Sequence, residues 1–195
     1  MVTRAPLDYD LICAPAEPGE AEITVDKVKN ILSRVRSWYA WVVLDLGRLG
    51  RFSASLLGVV DELIVVTKTA LPDLYQAKRT IEALGRAGID QARIRLVLNQ
   101  MGSEIPITNG ELRSIFGIAV YAALPDSSDE LRSACLKKRL PPESGTVRRE
   151  MAKVARRMAG LPQIGPKGML LSLAQRFRKP AAAVAPPSEH PGAEL

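Results

Sequence analysis

Three short apolar runs in this sequence end on residues able to meet a ligand. Asp45 closes most of the run 41–46 (WVVLDL), Asn99 follows 94–98 (IRLVL), and Pro125 with Asp126 follows 120–124 (VYAAL). If these runs are strands of one open α/β sheet, all four residues fall at C-terminal strand ends, where such sheets place ligands. A carboxylate there could face a cation or simply cap a loop. Arg48 and Arg51, after Asp45, could meet a phosphate, as could Lys68 after the run Leu63–Thr67, although solvated surface cations are the commoner outcome. Ser53 and Ser55 have no histidine to activate them, because the single histidine is His190 near the C-terminus.

The elements that must position these residues follow from the hydropathy pattern. Five apolar runs, at 9–14, 41–46, 63–67, 94–98 and 120–124, are rich enough in β-branched and aromatic residues to favour strand. Between them lie helical segments with start signals. They are 24–36 behind a Thr24 cap, 72–88 with Asp73 in its first turn, and 108–116, where Thr108 and Glu111 form a capping box. A further helix is expected over 144–159 from the stripe Val147, Met151, Val154, Ala155 and Met158. The alternation predicts an α/β fold: a mostly parallel sheet of about five strands flanked by helices.

Composition narrows the class. The 195 residues are 47% hydrophobic and 25% charged, enough to bury one sizeable core. Cys13 and Cys135 are far apart and lack metal-site spacing, so neither a disulfide framework nor a metal site is expected. There is no signal-peptide run and no bilayer-length apolar stretch. A cytoplasmic location fits. The net charge of +6 is uneven: residues 131–179 hold 13 basic and two acidic side chains, a surplus of 11, leaving −5 for the remainder. Only this C-terminal part is built to meet an anion.

Taken in order, the strings YDLICAPAEP, YAWVVLDLGR, DELIVVTKTALPDLYQAKRTIEAL, RLVLNQM and VYAALPDSSDEL resemble the second half of MinD/ParA-type P-loop ATPases of the deviant SIMIBI group. The resemblance covers about residues 8–161. DLGR and VTKTALPDLYQAKR look most like the CpaE/TadZ branch, whose members help assemble and localise pili. By this resemblance the domain is N-terminally truncated, since no string matches the phosphate-binding G-x-x-x-x-G-K-[ST] loop. The nearest string, Gly165-Pro166-Lys167-Gly168, has neither the Ser/Thr nor a preceding strand.

The resemblance also implies roles. Asp45 would bind magnesium through water near the γ-phosphate, Gly47 would sense that phosphate by its backbone N–H, Asn99 would bond the adenine edge, and Pro125 with Asp126 would close over the base. Without the phosphate cradle most nucleotide affinity is lost. No cofactor is therefore expected unless the cradle is supplied elsewhere, in which case ATP or ADP with magnesium would bind. The P-loop strand would lie between the Asp45 and Leu63 strands, so these two should either pair directly or receive a partner chain's strand.

After a linker at 162–168, residues 169–179 form an amphipathic helix on a 100° wheel. Met169, Leu170, Leu173, Ala174 and Phe177 lie on one side, with Arg176, Arg178 and Lys179 among the polar positions. This resembles the membrane-targeting helix of MinD-like proteins, although docking on its own domain fits the same pattern. The Pro/Ala-rich stretch 180–195 reads as a disordered tail. The expectation is a non-hydrolysing scaffold or localisation protein for pilus or secretion-system assembly, at the inner face of the cytoplasmic membrane. A protein partner or a homodimer would complete it. One alternative is the C-terminal half of an ATPase whose P-loop is supplied by another segment or chain. Another is a partition-type protein binding DNA non-specifically through the basic face 148–157.

Overall fold

A computed structural model describes residues 2–5, 9–13, 23–101 and 108–162. The linker, the amphipathic segment (Met169, Leu170, Leu173, Arg176, Phe177, Arg178, Lys179), the tail with His190 and the string 165–168 lie outside the described residues. The chain divides into two units, Met1–Val59 and Val60–Leu195.

In the first unit, β1 (Val2–Ala5) and β2 (Tyr9–Ile12) pair antiparallel, with Val2 opposite Ile12 and Ala5 opposite Tyr9. The Tyr39 phenol donates to the Asp10 carboxylate. Helix α1 (Val25–Val35) begins where the Thr24 side chain accepts from the Lys27 amide, 3.3 Å away, so the predicted cap forms. A short helix α2 (Arg51–Ala54) follows.

Two strand expectations need correction here. The run at 9–14 belongs to the two-stranded antiparallel sheet, because four residues close by in sequence offer it a ladder. The run 41–46, carrying Asp45, contains no strand; Val43 is 88% exposed. An apolar run becomes a strand only when a neighbour satisfies its backbone groups, and segment 41–46 has no ladder. Among the described residues the run 41–46 is paired with no strand.

The second unit carries a parallel sheet of three strands, not five. Strands β3 (Leu63–Thr67), β4 (Ile94–Met101) and β5 (Val120–Pro125) stand in the order β3-β4-β5, all parallel. Helix α3 (Leu71–Arg86) buries Leu74, Ala77, Ile81 and Leu84 at helical spacing. Helix α4 (Asn109–Phe116) starts at the predicted box. The Glu111 amide donates to Thr108 Oγ1 at 3.2 Å, and the Thr108 amide donates to Glu111 Oε2 at 2.7 Å. These helices bury Leu112 and Phe116 with Leu96 and Leu98 of the sheet. Helix α5 (Ser128–Leu136) and helix α6 (Thr146–Met158) complete the unit, with α6 against β5. The fold is thus α/β, a parallel sheet flanked by helices.

Candidate functional site

Strands β4 and β5 run side by side, so their C-terminal ends open onto one place. Asn99, Gln100, Leu124 and Pro125 from these ends line a cavity of about 50 Å³ with Ser127, Ser128 and Leu131 at and after the start of α5 and Thr146, Val147, Glu150 and Met151 of α6. That is several times the ~10–15 Å³ that one water needs. Two of the predicted residues, Asn99 and Pro125, therefore meet in one cleft.

The strand end is not regular. The β4–β5 register shifts between Leu98 and Met101, and Gln100 takes a φ of 54°, unusual for a residue with a side chain. Asn99 Oδ1 accepts from the Gln100 amide at 2.9 Å, leaving the Asn99 NH2 group as a donor. The Gln100 side chain donates to Ser128 Oγ at 3.1 Å, and Ser128 donates to Asp126 Oδ1 at 2.5 Å. The Ser128 amide adds a 3.0 Å bond to the same oxygen. Asp126 is held below the usual carboxylate range by the Ser128 hydroxyl first, then the Ser128 amide, with a smaller pull from Lys68. Asp126 therefore braces the loop after β5.

The far wall is set by α6. Glu130 Oε2 accepts from the Thr146 amide at 3.0 Å and the Val147 amide at 3.4 Å, capping that helix from α5. Glu150, on α6, is held below its ordinary range mainly by its bond from Lys153, with Arg149 contributing. Glu150 is the one ionisable side chain among the described residues that line the cleft.

The basic face of α6 is engaged within the protein. Arg148 pairs with Glu143 at 3.6 Å, and Arg149 and Lys153 pair with Glu150. Arg156 is buried and donates to the Pro162 carbonyl at 2.7 Å. Arg157 donates to the Tyr121 carbonyl and sits 4.2 Å from the centre of the Tyr121 ring, which Arg95 also approaches at 5.3 Å.

Asp45 and Gly47 belong to the first unit. The Gly47 amide donates to Asp45 Oδ1 at 3.0 Å, and Gly47 has a φ of 58°, so the pair makes a tight turn needing glycine. Asp45 caps its own loop. Arg48 and Arg51 are exposed beside it. Ser53 is buried, accepting from the Gly50 amide at 2.7 Å, and is a loop brace rather than a nucleophile.

Sequence reasoning missed Gln100, Ser128, Glu130 and Glu150. The run Asp126-Ser127-Ser128-Asp129-Glu130 is a helix-start signal that marks α5, whereas the reach of Glu130 to Thr146 has no local signature.

A donor amide and an apolar rim are available at Asn99 and Pro125, but no cation lines the cleft among the described residues. No three His, Cys, Asp or Glu side chains group as metal ligands among those residues.

No protein-family model and no curated protein matches the chain. Solved structures do. A ParA family ATPase from Chlorobium tepidum TLS superposes with a TM-score of 0.71 at 21% identity, over 77% of this chain and 65% of that one. The MinD cell division protein of Aquifex aeolicus gives 0.61 at 17% identity, over 75% and 65%. The MinC:MinD cell division protein complex of the same organism gives 0.61 at 15%, over 74% and 62%. The chain spans less than two thirds of the length of each. It shares the P-loop-type α/β fold of ParA and MinD proteins.

Proposed function

We propose that this chain is a MinD/ParA-like scaffold or localisation protein that works through its surfaces and its C-terminal segment rather than by nucleotide hydrolysis. The observation that carries the reading is the cleft at the strand ends. It offers Asn99 and Pro125 at its rim, and no cation lines it among the described residues to hold a phosphate. Asp45 Oδ1 accepts from the Gly47 amide, so this carboxylate closes its own turn. The basic, amphipathic segment 169–179 supports a site of action at an anionic membrane surface, and the likeness of 45–48 and 66–79 to CpaE/TadZ proteins supports a place in pilus or secretion-system assembly. A protein partner or a second copy fits a scaffold; one similar structure is a complex of MinD with MinC. Calorimetric titration of the full chain with MgATP tests the reading. No saturable heat up to millimolar nucleotide is expected; a micromolar Kd with phosphate release would overturn it.

One observation favours a second reading, that a phosphate-binding segment joins from another chain to make an ATPase. Strand β3 is bonded only to β4 among the described residues, so its other edge can take a strand. Mixing with such a segment would then restore nucleotide binding. The DNA reading loses support, because the α6 cations it needs are paired or bonded internally.

A further inference from the structure

Helix α5 ends in a turn that the fold holds firmly and leaves uncovered. The Lys138 amide donates to the Cys135 carbonyl at 2.9 Å and the Arg139 amide to the Ala134 carbonyl at 3.0 Å, the bonding of a helix stop that reverses the chain. The turning residue of such a stop lies in the left-handed region, and here it is Lys138, with a φ of 48°. Glycine takes this conformation without strain and is the usual occupant. Ala134 is buried, and the connection to α6 is pinned at its far end, where Glu130 of the same helix bonds the Thr146 and Val147 amides. Between these anchors all six residues from 135 to 140 are exposed, so the turn projects.

What the turn presents is apolar and cationic together. Leu136 is 79% exposed and Leu140 45%. Arg132, Lys137, Lys138 and Arg139 flank them in sequence, and 131–142 holds no acidic residue. Among the described residues none of these four cations is in an ion pair, in contrast to Arg148, Arg149 and Lys153 of α6. An occupant that takes apolar side chains and cations at once suits both.

We propose that this turn is a contact for an anionic lipid surface, with Leu136 and Leu140 entering the acyl boundary while Lys137, Lys138 and Arg139 stay among the headgroup phosphates. Charge complementarity selects an anionic layer over a neutral one. Shape selects lipid over a folded partner, because a projecting turn has no groove to seat a side chain, whereas a fluid layer closes around it. A lysine kept at the left-handed position, where glycine is easier, fits a demand for charge at that point. The inference rests on the membrane reading of the proposed function and deepens it by naming the edge of the second unit that meets the lipid. Two leucines are too few to hold the chain alone, so the turn orients a molecule that its C-terminal segment tethers.

Titration of the full chain with phosphatidylglycerol vesicles, read by co-sedimentation, tests the contact at two exposed positions. Leu136→Ser should weaken binding about tenfold, the loss expected for one leucine withdrawn from an apolar layer. Lys138→Gly suits the left-handed turn and so keeps the fold, yet binding should weaken about fivefold for the one cation removed. Urea midpoints no lower than that of the unaltered chain show that both variants are folded. Phosphatidylcholine vesicles should retain little of any of the three chains. Undiminished binding by either variant overturns this inference and leaves the membrane reading standing, whereas an unaltered chain that does not sediment overturns both. A labelled duplex that the unaltered chain binds and Lys138→Gly binds more weakly, with Leu136→Ser indistinguishable from the unaltered chain on duplex and vesicles alike, would assign the turn to nucleic acid instead.

Discussion

The Glu130 carboxylate occupies the space in which a side chain on Gly145 would begin: a Cβ there would lie 2.0 Å from Glu130 Oε1 and 2.9 Å from the Pro142 carbonyl. The carboxylate reaches that point to bond the Thr146 and Val147 amides. Gly145→Ala must displace either the cap or the backbone, so a loss of about 1–3 kcal/mol is expected. Urea denaturation followed by circular dichroism checks it; an unchanged midpoint would show that the cap moves freely.

Removing the cap itself has a separate signature. Glu130→Ala leaves the first α6 amides without their acceptor and should cost about 1 kcal/mol. Thr108→Ala, which dismantles the box at α4, should cost a similar amount. The two sites share no partner, so the double variant should show the sum of the single losses.

The acid limb of stability should respond to Ser128. Asp126 titrates below its ordinary range, so its contribution is complete above the unfolded carboxylate value and is lost as pH falls through the depressed folded value. Ser128→Ala removes the largest cause and should move the Asp126 carboxyl upward in a carbon-detected NMR titration. An unmoved titration would mean that the hydroxyl does not face that oxygen in solution. The cleft should also loosen, since Gln100 loses its acceptor.

What could be read from residues alone was local. Thr24, Thr108 and Glu111 announce helix starts because a cap needs only neighbours within three or four residues. Asn99 and Pro125 were singled out by the family resemblance, and only their place at strand ends follows from the apolar runs that stop just before them. The failure at 41–46 has the opposite origin. Its composition suits a strand, but pairing depends on a neighbour that no local pattern supplies. The grip of Glu130 on Thr146 and the stacking of Arg157 on Tyr121 span 16 and 36 residues and left no local trace. The basic run 148–157 read as a free anion-binding face, yet its cations meet Glu143, Glu150, Tyr121 and Pro162.

That engagement makes a prediction about nucleic acid. Fluorescence anisotropy with a labelled duplex at about 0.15 M salt, where the screening length is ~8 Å, should show no saturable binding. Saturable binding that weakens for Arg148→Ala and Arg149→Ala would restore the DNA reading.

The proposed function is borne by the C-terminal segment and is independent of nucleotide hydrolysis. Co-sedimentation with phosphatidylglycerol vesicles tests it most directly, comparing the full chain with a full-length variant carrying Leu173→Asp and Phe177→Asp, each with and without MgATP. The prediction is that the unaltered chain sediments equally in both conditions and the variant stays in the supernatant. Sedimentation that requires MgATP, or equal sedimentation of the variant, would contradict it.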